Sequence, residues 1–492
     1  MEKVRTVITT DMECDDMNSM IHICLHLNDL DVQGIVYTAS KYHFNGDGIH
    51  TLGEVTPHYS CSGRRAYETE KHPPGPDPAA KDLKEYRPFE EGWIESLFKN
   101  EYASVWPNLC RHDPDYPSPE EMLSRIYYGN IAFEGDVRNP TEGSEFIRKL
   151  MLDEDERPLY IQSWGGINTV VRALMSIEEE YKNSAQWQDV YGRVCQKVRI
   201  LGVIDGKGQD NSWLDHAADT WKDIVLLRSE FGYGGFFSSV STQPDSIDTY
   251  KAPWLKENIK FNHGPLMEKT ILMGDGTYIK GEPENRQFGQ MTYIDFGLEM
   301  MPRVDFDRYD WLGEGDSMTW VPLLPNGLRG LEDGRYGTVV GRLFNDGEEI
   351  TPKRPLFGKP EDNINPFLYA FQKEWAARAD WCVRAYDECP HPPVITAAES
   401  DIDALAGESI TPAVTVSSAD GRPVQTRWFV YEPGTVYQGE RTPQVLQEED
   451  GSVSFRVPDD STEGDQFIIY AAAETEGFPS FTRYAGIAVH VR

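Results

Sequence analysis

The first strand and helix of this chain constrain its fold more than any other part of the sequence. Residues 4–8 form a short apolar run that predicts a buried β-strand, and residues 17–27 carry apolar side chains at helical spacing. The turn between them holds three carboxylates, Asp11, Asp15 and Asp16. Because acidic residues are typical of a first helical turn, we expect a strand that ends at Asp11 and a helix that begins near Asp15.

This acidic turn has two interpretations. Like charges at short range raise one another's pKa, and a bound cation relieves that repulsion. Oxygen ligands in this number are those that Ca²⁺ and Mg²⁺ prefer. The structural alternative is an N-capping aspartate followed by a solvated acidic turn. The spacing of the carboxylates alone leaves both interpretations open.

Further alternation of strands and helices predicts an α/β fold with a mostly parallel sheet flanked by helices. Residues 31–40, 159–163 and 197–204 have the apolar content of buried strands, and a helical pattern precedes the first and follows the second. Ligands bind at the carboxyl ends of the strands in such folds. The loop after residue 40 contains His43, which is either a substrate contact or an ordinary exposed loop histidine.

The length of 492 residues exceeds what one hydrophobic core usually supports, so we expect two domains. From about residue 394, short alternating runs punctuated by Gly and Pro predict an immunoglobulin-like β-sandwich. We therefore predict an α/β domain over residues 1–390 and a sandwich over residues 391–492. Within the first domain, residues 45–100 are rich in Gly, Pro, Glu and Lys and predict an insertion or lid.

Charge and hydropathy disfavour several classes of partner. The net charge of −34 repels the phosphates of nucleic acids and an anionic membrane surface. No run of about 18 apolar residues occurs, so no transmembrane helix is predicted. The N-terminus has no apolar signal core, and we expect a cytoplasmic protein, although an exported chain whose signal had been trimmed would look the same. The seven scattered cysteines predict neither a disulfide framework nor a zinc site.

Several segments carry a resemblance to a known family. The acidic turn resembles the Asp-Thr-Asp-Pro-Gly-x-Asp-Asp motif of nucleoside hydrolases, whose third, seventh and eighth positions correspond to Asp11, Asp15 and Asp16. Thr9 replaces the first aspartate of that motif. The chain as a whole resembles the nucleoside hydrolase-like family of bacterial proteins often labelled "cellulose-binding", whose members carry a second, C-terminal β-domain. The further segments that match this family are residues 157–174, 262–266, 314–317 and 371–381.

The resemblance implies one bound Ca²⁺. Its ligands would be Asp11, Asp16, Asp316 and the backbone carbonyl of Trp164, and Asp11 would also serve as the general base. The alternative for Trp164 is an ordinary strand-to-helix turn. One departure concerns the leaving group, because the residue before the last aspartate is commonly a histidine in nucleoside hydrolases, whereas Gly315 stands here.

The resemblance also implies contacts to a sugar. Nucleoside hydrolases hold the ribose hydroxyls with a carboxylate of the first motif and with a polar loop later in the chain. His263 is a family match whose alternative role is that of a capping or core histidine, and Glu314 is a candidate because the leaving-group acid is otherwise missing. The candidate sugar-contacting residues are Asp15, His43, Asn168, Asp210, Asn211, Trp213, His263 and Glu314.

Two functional hypotheses follow. The first is a calcium-dependent hydrolase that cleaves an N- or O-linked furanoside with activated water. The second is a non-catalytic carbohydrate-binding protein, with which the 12 Trp, the 24 Tyr and the predicted sandwich are compatible. In both cases the expected partner is a small sugar or glycoside rather than nucleic acid or a membrane. Self-association into a homo-oligomer stays open.

Overall fold

The structure is a computed structural model, and it describes residues 2–56, 82–202, 209–231, 244–282, 293–294, 304–345, 348, 365–447 and 452–492. Residues 57–81 of the predicted insertion over residues 45–100 lie outside this described part. The chain forms two compact units. The first contains Met1–Arg228, Gly232–Trp320 and Asn345–Ile364, and the second contains Ser229–Phe231, Val321–Phe344 and Asn365–Arg492. The domain boundary at residue 390 stays a prediction, whereas the contacts group residues 365–390 with the C-terminal strands.

A parallel sheet organises the first unit. Six strands follow one another across it in the order β3-β2-β1-β4-β5-β6, and each neighbouring pair is parallel. Their bounds are β1 (Val4–Thr10), β2 (Leu30–Tyr37), β3 (Ile126–Tyr128), β4 (Leu159–Trp164), β5 (Val198–Leu201) and β6 (Val225–Ser229). The short strands β7 (Tyr293–Ile294) and β8 (Val304–Asp305) pair with each other in antiparallel fashion, and β9 spans Leu343–Asn345.

Helices alternate with these strands. Their bounds are α1 (Cys14–Ile23), α2 (Leu52–Val55), α3 (Trp93–Ser96), α4 (Ala103–His112), α5 (Pro119–Leu123), α6 (Glu142–Leu152), α7 (Asn168–Tyr181), α8 (Trp187–Lys197), α9 (Pro244–Ile247), α10 (Ala252–Leu255) and α11 (Gly264–Glu268) in the first unit, with α12 (Leu368–Trp381) in the second. None of the helices in the described part of the chain is long and apolar enough to cross a membrane.

A hydrophobic core of the first unit lies between the sheet and its helices. Val170, Val171 and Leu174 on one face of α7 belong to the same buried cluster as Ile161 of β4 and Ile200 of β5. The positions three and four residues apart on α7 fall on one side of the helix, so that side is covered by the sheet. This packing fixes the position of the turn between β4 and α7. The candidate site lies at this carboxyl edge of the sheet.

The start of α5 agrees with the sequence, but its end does not. Ser118 caps the helix, because its Oγ accepts the N–H of Glu121 at 3.1 Å, and Pro119 takes the first helical position. The helical pattern extends in the sequence towards Tyr127, whereas α5 ends at Leu123 and residues 126–128 form the edge strand β3. β-Branched and aromatic residues favour a strand once a neighbour is available for pairing, and β2 supplies it.

β-Strands form most of the second unit. They are β10 (Val394–Ala397), β11 (Asp401–Ala404), β12 (Ser409–Ile410), β13 (Val414–Ser417), β14 (Val424–Val430), β15 (Val445–Gln447), β16 (Val453–Arg456), β17 (Gln466–Thr475) and β18 (Thr482–Val491). Their described pairs are antiparallel except for the parallel pair β11 and β18. The four-stranded sheet β11-β18-β17-β14 and the three-stranded sheet β12-β16-β15 contribute Phe467 and Phe455, respectively, to one shared core. The predicted fold class, a mostly parallel α/β domain followed by a β-sandwich, is confirmed.

Candidate functional site

The turn after β1 brings two aspartates to the carboxyl edge of the sheet. Asp11 follows the last residue of β1, and its N–H donates to the carbonyl oxygen of Trp164 at 3.1 Å. The chain then turns through Met12, whose φ of 60° lies in the left-handed region. Thr10 fixes this turn, because its hydroxyl donates to Asp16 Oδ1 at 2.5 Å and accepts the N–H of Met12 at 3.1 Å. Asp16 is thereby held close to the end of β1.

A distant segment completes the cluster. Asp316 lies on the 3₁₀ helix Gly315–Thr319, and Thr319 joins this helix to β4, because its Oγ1 accepts from Trp164 Nε1 at 2.7 Å and lies 2.7 Å from the Asp316 carbonyl oxygen. One carboxylate oxygen from each of Asp15, Asp16 and Asp316 lies within 4.8 Å of the other two. We call these three residues the acidic cluster.

Burial and mutual repulsion shape the electrostatics of the site. Burial is the main cause that raises the pKa of Asp16 well above its usual value, and the charges of Asp316, Asp11 and Asp15 raise it further. The pKa of Asp316 is likewise raised well above normal, chiefly by burial and then by Asp15 and Asp11. Among the described residues, no Lys or Arg forms an ion pair with Asp11, Asp16 or Asp316.

Asp11 is enclosed without a hydrogen-bond partner. Its side chain is fully buried, and neither carboxylate oxygen meets a donor within hydrogen-bond geometry in the described part of the protein. Burial raises its pKa to about 6, and nearby His43 opposes that rise, as does the Ser40 hydroxyl, which approaches without completing a hydrogen bond. A buried carboxylate of this kind requires either a proton or a cation.

Two glycines allow the backbone to approach these carboxylates. Gly165 follows β4 with a φ of 97°, and a Cβ there would lie 2.5 Å from Asp11 Cγ. A Cβ at Gly315 would lie 2.7 Å from Asp15 Oδ2. A side chain at position 315 would therefore require Asp15 to move.

A rim of charged residues that sequence reasoning missed lies beside Asp11. The Arg87 guanidinium pairs with Glu282 and lies 3.4 Å from Glu13. His43 Nε2 is 3.3 Å from Glu282 Oε1, and its Nδ1 is 2.5 Å from the carbonyl oxygen of Arg87. His43 is thus fully buried at the edge of the site and is not an exposed loop histidine. Neither Arg87 nor Glu282 lies within a recognisable sequence motif. The local sequence therefore does not predict that they belong to the site.

The donor set of the site fits a hard divalent cation. The acidic cluster offers carboxylate oxygens only, and Ca²⁺ and Mg²⁺ prefer such ligands. The Trp164 carbonyl accepts the Asp11 N–H and retains a second lone pair. The predicted ligand set named Asp11 and left Asp15 to the sugar, whereas the oxygens that lie closest together belong to Asp15, Asp16 and Asp316. Both assignments stay predictions.

Three predicted sugar contacts are engaged in holding the fold. Asp210 Oδ2 accepts the N–H of Asn168 at 3.1 Å at the start of α7. The Asn168 side chain donates to the carbonyl oxygen of Asn130 at 2.8 Å and accepts from the Thr38 hydroxyl at 2.7 Å. Trp213 is 4% exposed and belongs to the hydrophobic core, so its ring offers little surface for stacking on a sugar.

The remaining candidates are distributed around the first unit. Glu314 is buried, and both of its carboxylate oxygens lie 3.1 Å from His22 Nδ1. His263 precedes α11, where its Nε2 is 3.0 Å from the carbonyl oxygen of Glu257. Asn211 lines a separate cavity of about 400 Å³ together with Ser212. The contacts of Glu314 and His263 therefore point to roles in holding local structure.

A parallel sheet with buried carboxylates at the carboxyl end of its first strand defines a nucleoside hydrolase-like α/β domain. The chain belongs to the family described as "Cellulose-binding Sde182, nucleoside hydrolase-like domain", whose model matches residues 5–343. The resemblance predicted from the sequence is confirmed.

A solved structure has a similar fold. A nucleoside hydrolase-related hypothetical protein from Saccharophagus degradans, associated with carbohydrate metabolism, is 19% identical over 100% of both chains, with a TM-score of 0.68. The N-terminal Ig1-2 module of Drosophila receptor protein tyrosine phosphatase DLAR covers 21% of this chain and 50% of its own at 16% identity, but its TM-score of 0.15 supports no argument. No curated protein matches the chain.

Proposed function

We propose that the acidic cluster binds one divalent cation, Ca²⁺, and that the first unit hydrolyses an N- or O-linked furanoside. The observation that carries this proposal is the meeting of Asp15, Asp16 and Asp316, three carboxylates from opposite ends of the first unit, without a compensating Lys or Arg on Asp16 or Asp316 among the described residues. Burial, and then the neighbouring carboxylates, raise the pKa of Asp16 and Asp316 well above normal, and a cation would relieve the repulsion among these carboxylates.

Asp11 suits the role of proton acceptor. Asp15, Asp16 and Asp316 would hold a divalent cation, which would supply Lewis-acid activation of water. Asp11 lies against the cluster, its oxygens are unpaired in the described part of the protein, and its pKa of about 6 lies near the neutral range where a general base works best. The His43 ring limits the rise of that pKa and so keeps Asp11 ionised at neutral pH.

The charge of the site suits the transition state of glycoside cleavage. The sugar gains positive, oxocarbenium-like character as its bond to the leaving group breaks. A pocket with an excess of fixed carboxylates stabilises that charge without reorganisation. Asp15, which is only partly buried, is the member of the cluster best placed to accept hydrogen bonds from sugar hydroxyls.

The test is hydrolysis of nitrophenyl furanosides and nucleosides in the presence of Ca²⁺. Asp11→Asn keeps the shape of the side chain but removes its basicity, so kcat should fall by about 10²–10⁴-fold. Asp223→Asn, a change at an exposed carboxylate paired with Tyr191, is the matched control and should retain full activity. Equal turnover by the wild type and Asp11→Asn would contradict the proposal.

A second candidate function is sugar binding without cleavage. The family is named for cellulose binding, and the cavity that contains Asn211 and Ser212 is lined by a mixture of charged and apolar side chains, including Arg172, Glu179 and Met175. Such a mixture suits the hydroxyl and C–H groups of a sugar. Saturable binding of an oligosaccharide, with no turnover of any furanoside by the wild type, would favour this function over hydrolysis.

A further inference from the structure

One face of α1 runs along the segment that carries Asp316. Asp15, Asn18 and His22 are three and four residues apart and therefore lie on the same side of the helix. The Asn18 side-chain amide donates to the carbonyl oxygen of Gly313 at 2.8 Å. His22 contacts Glu314, and Asp15 lies against Gly315. Three consecutive residues before Asp316 are thus each held by a side chain of α1.

The contact between His22 and Glu314 is the most strongly constrained of the three. Each side chain is 1% exposed, and His22 Nδ1 lies 3.1 Å from both Glu314 oxygens. When the Glu314 carboxylate accepts this hydrogen bond, His22 Nδ1 is the donor. Removing one member of such a buried pair takes this contact away from the other and favours local rearrangement.

His22 also reaches the far side of the 3₁₀ helix. Its ring packs edge-on against Trp320, with 5.0 Å between the ring centroids. Trp320 in turn donates from Nε1 to Ser317 Oγ at 2.9 Å. His22 therefore contacts Glu314, two residues before Asp316, and Trp320, four residues after it.

We propose that His22 is a positioning residue that sets the location of Asp316 through its contact with Glu314, and so determines how tightly the acidic cluster binds its cation. This inference rests on the proposed function, because it assumes that the cluster binds an ion. It gives Glu314 a structural role in place of direct contact with a sugar. Partners that orient metal ligands typically change metal affinity by about 10- to 100-fold when they are removed.

Two substitutions at His22 separate positioning from simple packing. The amide nitrogen of Asn lies close to the position of Nδ1, whereas that of Gln lies close to Nε2. His22→Asn should therefore keep the hydrogen bond to Glu314, and His22→Gln should lose it although it keeps a polar side chain. After removal of bound metal, calorimetric titration with CaCl₂ should show an affinity near that of the wild type for His22→Asn and about 10- to 100-fold weaker binding for His22→Gln.

His26 provides a matched control on the same helix. It is also a buried histidine beside Trp320, with 5.1 Å between ring centroids, but its Nδ1 faces Asp29 rather than Glu314. His26→Gln should lower the melting temperature yet leave the affinity for Ca²⁺ unchanged. Asp316→Asn tests the assumption beneath the inference, since it should abolish binding.

The outcomes are distinguishable. If the wild type and Asp316→Asn bind Ca²⁺ equally, or neither binds, the proposed metal site falls and this inference falls with it. If Asp316→Asn loses binding while His22→Gln, shown to be folded by circular dichroism, binds as tightly as the wild type, only the role of His22 is overturned. Should His22→Gln fail to fold, weak binding by His22→Asn would overturn the same role.

Discussion

Buried carboxylates are treated in opposite ways at two places in this protein. In the second unit, Glu374 of α12 is 5% exposed and accepts from Arg378 Nε at 2.9 Å and from Arg483 at 2.7 Å. In the first unit, Asp16 and Asp316 are also buried, yet they lie near other carboxylates and form no ion pair with a Lys or Arg among the described residues. Guanidinium groups compensate the charge where a carboxylate supports the fold.

The contrast indicates what the acidic cluster is for. Isolated buried charges are costly, and a structure that leaves several together usually uses them at a functional site. The charge of Glu374 in α12 is compensated by arginines without any ligand. The charge of the acidic cluster would be compensated by a bound cation. Substitutions in the two regions should therefore have opposite effects on stability.

The largest effect is expected in the second unit. Arg378→Met removes one of the two guanidinium groups on Glu374 and leaves a buried carboxylate undercompensated. We expect a loss of about 3–5 kcal/mol in the free energy of unfolding, measured by urea denaturation with a probe in the C-terminal strands. The control is Arg335→Met, because Arg335 pairs with Asp333 at the surface. It should lower the free energy of unfolding by less than about 1 kcal/mol.

The acidic cluster should behave in the opposite way when metal is removed. Asp16→Asn takes away one of the repelling charges, so in a chelator the variant should be as stable as the wild type or more stable. In excess Ca²⁺ the order should reverse, because only the wild type gains binding energy, about 2.7 kcal/mol at a concentration of 100 times Kd. Melting temperatures in EDTA and in CaCl₂ check both statements, and a destabilised Asp16→Asn variant in EDTA would contradict them.

Stability should also depend on pH differently with and without metal. The folded-state pKa values of Asp16 and Asp316 are raised, and that of Asp11 is raised to about 6. The metal-free folded protein therefore holds more protons than the unfolded chain above about pH 4, and its stability falls as the pH rises through these pKa values. Since Ca²⁺ replaces those protons, the gain in melting temperature on adding Ca²⁺ should be larger at pH 8 than at pH 5.

The smallest effect should come from the glycine beside Asp15. Gly315→Ala would place a methyl group 2.7 Å from Asp15 Oδ2 and displace that carboxylate. We expect Ca²⁺ affinity to fall by up to about tenfold, which corresponds to about 1.4 kcal/mol. The control is Gly192→Ala in α8, where the added Cβ meets nothing within 4 Å; it should leave affinity unchanged and add about 0.5–1 kcal/mol of stability.

Local sequence patterns predict the parts of the fold that depend on residues adjacent in the sequence. The first strand, the acidic first turn of α1 and the cap at Ser118 all follow from residue types within a few positions of one another. The edge strand at residues 126–128 does not follow from such local patterns, because its identity depends on pairing with β2. Helical and strand preferences of such short segments are decided by tertiary contacts.

The candidate site could be predicted only in part, because tertiary contacts also decide which residues it contains. Asp16 and Asp316 were connected only through the family resemblance, since no spacing in the sequence relates residues so far apart. The charged rim of Arg87 and Glu282 carries no local signal, and it was not anticipated. Asp210 has the residue type of a sugar ligand, but its burial at the start of α7 engages it in holding the helix. Three-dimensional proximity decides such roles.

The most direct test of the account is the calcium content of the purified chain. Wild type, Asp16→Asn and Asp316→Asn would be dialysed against the same CaCl₂ buffer, and the bound metal would be measured by atomic emission. We predict about one Ca²⁺ per wild-type chain, as expected for one carboxylate cage, and none in either variant. Equal calcium in all three proteins, or none in the wild type, would contradict the claim that these carboxylates meet around an ion.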